Sequence, residues 1–244
     1  MASSFDGDPV RFLREGARGL DLELSRGEAD VLLRFCDEVM FWNRIINITS
    51  FRSLHDILVH MFLDSLASAP LLATLPCHEG ADLGTGGGFP GIPLAVVRRD
   101  MRITLIESSN KKADFLVKLT RLLSLDHVRV VEERAGSLHA STAEDLYEVV
   151  FSRACAPLSL LISLAFPLLR EGGRLLAWKG PALSRELRDA GETLLIYRGE
   201  VEKLHSYSLP GTGARSILVV KKCGSPPGRV PGKPSKKRNS PHHV

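Results

Sequence analysis

Gly84, Gly86, Gly87, Gly88 and Gly91 crowd into one stretch, ADLGTGGGFPGIPLA (81–95), between a short apolar entry and an apolar run with helical spacing. A backbone so stripped of Cβ atoms can turn sharply from a strand into a helix. It also lets a ligand lie against the peptide N–H groups at the helix N-terminus. Pro93 suits the first turn of that helix, where its missing N–H has no intrahelical partner to lose. Glu107 ends the next expected strand, at the spacing from Gly84 where nucleotide-binding folds place an acid that accepts hydrogen bonds from ribose hydroxyls. GTGGG fits an S-adenosylmethionine site, while the overlapping GGGFPG spells GxGxxG for a dinucleotide. Asp82, just before the turn, could face the positive methionine end of the first ligand. No YxxxK pair and no His–acid pair is present to manage the proton of a hydride transfer.

These residues need elements to hold them. Positions 1–75 read as helices: one over 9–20, one opened by the capping-box pair Ser25 and Glu28, and one opened by Ser53 and Asp56 that Pro70 limits. From residue 79 strands alternate with helices. Strands are expected at 80–83, 102–108, 127–133, 146–154, up to Lys179, 194–205 and 215–221, and helices to Arg98 and over 110–123, 157–170 and 184–192. That alternation predicts an α/β, doubly wound, mostly parallel sheet with an antiparallel last strand, preceded by N-terminal helices. Ligands of such a sheet bind at the carboxyl ends of its strands. The glycine turn, Glu107, the 134–136 turn, Arg153 and Lys179 all fall at that edge. The expected organisation is a helical preface (1–75), a core (76–222) and a basic tail (223–244).

Composition narrows the function classes. With 44% hydrophobic and 25% charged residues, the 244-residue chain has the make-up of a soluble globular protein. No basic-then-apolar leader opens it, and the apolar run 157–169 is too short to cross a bilayer, so no membrane partner is expected. Cys36, Cys77, Cys155 and Cys223 are far apart, which points to reduced thiols of a cytoplasmic protein and to no metal. The net charge of +4 is uneven: Lys221, Lys222, Arg229, Lys233, Lys236, Lys237 and Arg238 face no acid from residue 221 onward. Such a tail could contact RNA phosphates without reading sequence, or serve only solubility.

The sequence resembles the bacterial small-subunit rRNA guanine-N7 methyltransferases, the RsmG or glucose-inhibited division protein B family. DLGTGGGFPGIPLA is similar to the family signature, FWNRIINITS to its "WN…NLTS" segment and FLDSLASAPLL to its "LDS" helix. LIESSNKKADFL, FSRACAPL, AWKGP and RSILVVKK resemble its later blocks, so the likeness covers residues 28–222. The resemblance implies a class I, Rossmann-like methyltransferase fold that binds S-adenosylmethionine and methylates 16S rRNA, at position 527, as free RNA or within the small subunit; the chain is expected to be a monomer. It assigns the cofactor to Gly84 and Phe89, to Glu107 with Ser108 and Ser109, to Ala135 and Gly136, and to Arg153. Gly136 stands where the family often has an acid, and Met61 where it has a histidine, with His60 one position earlier.

Guanine N7 carries a free lone pair, so no catalytic residue in the sense of a general base is expected. Catalysis would be alignment of nucleophile, methyl carbon and sulfur. Lys179 and Arg215 sit where they could meet phosphate, and Trp42 and Trp178 could stack on a base or serve the core. The rivals are a nicotinamide dehydrogenase and an RNA-binding protein that keeps the fold without turnover.

Overall fold

The structure is a computed structural model that describes residues 7–134, 136, 147–153 and 156–224. Asp8 opens α1 (Pro9–Arg18) by accepting the Val10 N–H, with Pro9 in the first turn. Ser25 opens α2 (Arg26–Ile46) with a full capping box: the Glu28 N–H donates to Ser25 Oγ, and the Ser25 N–H donates to the Glu28 carboxylate. Asn47 ends α2 in the left-handed region, at φ 47°. Ser53 caps α3 (Leu54–Ile57), which runs through a π-helical segment (Leu58–Leu63) into α4 (Asp64–Leu66). Pro70 does not close this run. It occupies the first turn of a separate short helix, α5 (Ala69–Ala73), where its lack of an N–H is harmless. Leu54–Ala73 is long and apolar enough to span a membrane, but 78% of its apolar window is buried in the protein, which makes it a core helix.

The alternating part comprises β1 (Glu79–Leu83), α6 (Gly91–Val97), β2 (Arg102–Glu107), α7 (Asn110–Leu122), β3 (Val128–Glu132) and β4 (Tyr147–Arg153). It continues with α8 (Leu158–Ala165), β5 (Leu169–Lys179), α9 (Leu183–Asp189), α10 (Gly191–Ile196), β6 (Gly199–Tyr207) and β7 (Arg215–Lys222). The seven strands lie in the order β3-β2-β1-β4-β5-β7-β6. Strands β1 to β5 pair in parallel, and β7 slots antiparallel between β5 and β6. The order reverses at β1, flanked by β2 and β4, so the ligand crevice of this sheet opens at the carboxyl ends of those strands.

Two boundaries differ from the sequence expectation. Residues 194–196 are helical in α10, and β6 starts only at Gly199, after Arg198 turns the chain at φ 52°. A short apolar run such as TLLI has no periodicity that separates helix from strand. Helix α8 stops at Ala165 rather than running to 170, because Pro167 cannot continue it and Leu169 already pairs with Tyr147.

Both sheet faces are covered. One apolar cluster joins α1, α2, the π segment, α6 and α7 to the sheet through Leu32, Phe35, Phe62, Leu105 and Phe115. The other packs α8 and its neighbours on the opposite face through Leu158, Ile162, Phe166 and Leu175. Phe35 stacks on Phe89 at 4.7 Å and meets Phe62 edge-on at 5.0 Å, which ties α2 and the π segment to the glycine turn. Each fully buried Phe contributes about 1.5–3 kcal/mol.

Helix α6 lies so close to β1 and β2 that a Cβ at Gly91 would overlap the Leu105 side chain and the Asp82 carboxylate. Gly91→Ala should therefore cost about 1–3 kcal/mol in urea unfolding. An unchanged midpoint would show that the helix can back away from the sheet.

Candidate active site

The glycine turn is held by its own backbone. Gly84, Gly86 and Gly88 take positive φ values of 69°, 60° and 93°. The Gly84 and Thr85 N–H groups donate to Ile106 O, and those of Gly88 and Phe89 donate to Thr85 O. The Gly86 N–H donates to Glu107 Oε2 at 2.9 Å, and the Gly91 N–H donates to Asp82 Oδ2 at 2.7 Å. Most of the donors that a phosphate would need are thus given to protein acceptors. What the turn offers outward is bare Cα surface: a Cβ at Gly86 would point into open space. Such a cradle fits an uncharged or cationic chain better than a pyrophosphate.

Asp82 organises this turn rather than facing the cavity. It is fully buried, and its Oδ2 also accepts from Thr85 Oγ1 at 2.6 Å, while Oδ1 is buried without a partner. Burial pushes its carboxyl up to about 6. Glu107, at the end of β2, is also buried. Its Oε1 accepts the Ser109 N–H at 2.8 Å, so this one carboxylate ties the glycine turn to the Ser108–Ser109 corner that starts α7. Gly136 lies in a turn after β3, near Leu164, and Ala135 and Cys155 lie outside the described residues, as does the tail from 225 onward.

Gly84, Phe89 and Arg153 meet at a cavity of about 330 Å³ between the glycine turn and the π segment. The Arg153 guanidinium, at the end of β4, lies 5.3 Å over the Phe89 ring. It donates from Nη1 to His60 O at 3.0 Å and to Asp64 Oδ2 at 3.1 Å. Asp64 is the hub of the site. Its Oδ1 accepts Tyr207 Oη–H at 2.7 Å and Arg215 Nη1–H at 3.1 Å, and its backbone O accepts the Trp178 indole N–H at 2.9 Å. Arg215 Nη2 donates to His60 Nδ1 at 3.0 Å, which leaves the hydrogen of a neutral imidazole on Nε2. Burial and the Arg215 charge both lower the His60 pKa, in agreement with a neutral ring. That ring stacks on Phe51 at 4.5 Å across the cavity mouth.

Several side chains stand elsewhere. Lys179 is buried and donates to Glu186 Oε2 at 2.7 Å and Ala156 O at 3.1 Å, so it fastens α9 to the β4–α8 connection rather than presenting a charge to phosphate. Trp42 packs near Phe115 under Lys118, away from the cavity. Trp178 is buried beside Asp64. Asp64, Phe51 and Tyr207 join the site although no part in it is legible for them in the sequence, and so does His60, to which the resemblance assigned no role. A signal for Asp64 was there: it is the only charged residue of the apolar stretch 61–73, and a carboxylate in such a stretch needs buried partners.

Two expectations follow. Asp64→Ala leaves two arginines without their shared anion and should cost about 3–5 kcal/mol of unfolding free energy; a loss below about 1 kcal/mol would contradict the hub. For Asp82, the folded pKa lies above its ordinary value of 3.8. Its contribution is therefore full below about pH 4 and disappears as pH rises through about 6. The stability gap between wild type and Asp82→Asn should shift by about 3 kcal/mol in favour of the variant between those limits and neutral pH. A gap independent of pH would show that Asp82 ionises as it does in water.

Comparison with known proteins bears on the family and the fold. The family model described as rRNA small subunit methyltransferase G matches residues 28–217. A ribosomal RNA small subunit methyltransferase G of Chloroflexus aggregans is 36% identical over 226 residues, covering 92% of this chain and 94% of the relative. One from Alkaliphilus oremlandii is 33% identical over 229 residues, covering 92% and 96%. Among solved structures, TrmN from Thermus thermophilus superposes with a TM-score of 0.51 at 16% identity, covering 66% of this chain and 48% of that one. A geranyl diphosphate methyltransferase in complex with SAM gives 0.50 at 14% identity, covering 66% and 86%. These two likenesses concern the fold, a class I methyltransferase α/β sheet. The extent of the family match, carried by the same stretch that builds the glycine turn and the Asp64 hub, places this chain in the rRNA small subunit methyltransferase G family.

Proposed function

We propose that this chain transfers the methyl group of S-adenosylmethionine to N7 of a guanine in 16S rRNA, position 527 by its family resemblance. The observation that carries the reading is the cavity at the switch point of the sheet, walled by the glycine turn on one side and by Arg153 on the other. The dinucleotide alternative loses ground on the same turn, most of whose N–H groups are already engaged by the protein.

The residues present fit the cofactor. Gly84 and Gly86 leave room beside the backbone, and Phe89 supplies an apolar wall. Glu107 with the Ser108–Ser109 corner, and Ala135 with Gly136, would hold the nucleoside. When bound, S-adenosylmethionine supplies an electrophilic methyl on sulfur, which the N7 lone pair takes as the carbon–sulfur bond breaks toward sulfur, with no proton lost. The protein's task is alignment and exclusion of water. Arg153 can border a cationic ligand because Asp64 offsets its charge. His60, neutral and bonded through Nδ1, takes no proton from the base. The helical preface (1–75) and the basic tail (223–244) would guide the RNA, which must present an unstacked guanine. With that substrate the enzyme works in the cytoplasm.

Labelled methyl transfer to small-subunit RNA lacking the mark tests the reading, with naked RNA and 30S particles compared. The expected product is 7-methylguanosine on one of these substrates, and Gly84→Asp should abolish cofactor binding through steric block and charge. A protein that binds the cofactor but moves no methyl to either RNA would be the non-catalytic rival. Cofactor binding retained by Gly84→Asp would refute the placement of the pocket.

A further inference from the structure

A second cavity, of about 410 Å³, opens on the far side of the Asp64–Arg153–Arg215 cluster. It lies between the carboxyl end of β5 (Lys179, Gly180, Pro181) and the residues 212–216 that lead into β7. Asp64, Arg153 and Arg215 line both cavities, which therefore adjoin at this cluster. A transfer between a small donor and a base needs two adjoining pockets that meet where the bond is exchanged. The volume lies within the range of about 300–1,000 Å³ that encloses small ligands. The approach is open: a Cβ at Gly180 or Gly213 would meet nothing within 4 Å.

The wall residues are unequal. The Asp64 and Arg153 side chains are 4% and 13% exposed, whereas Arg215 is 35% exposed. Among the described residues, two of the five Arg215 N–H donors are engaged, one on Asp64 Oδ1 and one on His60 Nδ1, and both Nη atoms are thereby anchored. Purines differ on the edge that carries N7: guanine has the acceptor O6 beside it, adenine the donor N6–H₂. An arginine that swings freely brackets O6 and N7 together and so occupies the lone pair that must attack. An arginine tied at both Nη atoms has a fixed direction, and one of its remaining N–H donors can be given to O6.

We infer that this second cavity receives the acceptor guanine and that Arg215, held by Asp64 and His60, selects it by donating a hydrogen bond to O6. The inference rests on the methyltransferase reading above. Arg215 is then a specificity residue of the wall, and Asp64 and His60 are its positioning residues. Adenine meets the same edge with N6–H₂, donor against donor, and is rejected although its N7 is equally available.

The test uses the full-length protein and one RNA made in three forms, with guanine, inosine or 2-aminopurine at the acceptor position. Inosine keeps O6 and N7, whereas 2-aminopurine keeps N7 and loses O6. Wild type should methylate guanine and inosine within about threefold of each other, and 2-aminopurine about 10- to 100-fold more slowly in kcat/KM. In Arg215→Ala the guanine to 2-aminopurine ratio should collapse to nearly one, a change that loss of scaffold alone does not produce. A ratio that persists in Arg215→Ala, or equal use of guanine and 2-aminopurine by wild type, overturns the O6 assignment. Gly213→Trp, which fills the second cavity, should stop transfer while S-adenosylmethionine binding stays within about threefold; transfer at the wild-type rate overturns the pocket. Absence of transfer from wild type to the guanine RNA would instead bring down the methyltransferase reading itself.

Discussion

Asp64 sits within a buried apolar helix and gathers groups from four different strands: Arg153 of β4, Trp178 of β5, Tyr207 of β6 and Arg215 of β7. A carboxylate so far from water is tolerable only if its oxygens find donors. Satisfying it brings these strands to the helical preface. The cavity beside the glycine turn owes its second wall to that demand, because Arg153 is held over Phe89 by the same carboxylate. Burial and the nearby Asp64 charge push the Tyr207 hydroxyl well above its ordinary pKa, so it remains a donor to Oδ1.

Much of the fold was legible because its signals are local. Ser25 and Glu28 mark a helix start by a bonding pattern confined to one turn, and the structure shows both bonds. The glycine turn and the acid at the end of the following strand belong to one βαβ unit, so spacing alone puts Glu107 next to Gly86. The Asp64 hub was not legible in the same way. Its partners lie 89, 143 and 151 residues downstream, and no periodicity joins positions so distant. Lys179 shows the reverse error. A basic residue at a strand end reads as a phosphate contact, yet Glu186, seven residues on, takes its charge inward. Residues 194–196 illustrate a third cause, since a short apolar run packs equally well as strand or helix until its neighbours decide.

The two acids of the glycine turn divide the work. Asp82 and Glu107 share one architecture, a buried carboxylate at the end of a parallel strand accepting backbone N–H groups. Asp82 is sealed inside the protein with one oxygen unpartnered, and it stiffens the step from β1 into α6. Glu107 joins two loops across the crevice. The turn, glycine-rich as it is, is a braced object whose shape is set by these two carboxylates and its own backbone bonds.

The separations around Asp64 also bear on the order in which the molecule can be completed. Residues 54–73 leave the ribosome with their carboxylate early, while Arg215, 151 residues after Asp64, is made near the end of the folded part. Until β7 is in place between β5 and β6, Asp64 lacks its Arg215 partner. Closing such long-range contacts is the slow part of building a fold. The Asp64 cluster is therefore complete only once the last strand in chain order has joined the sheet.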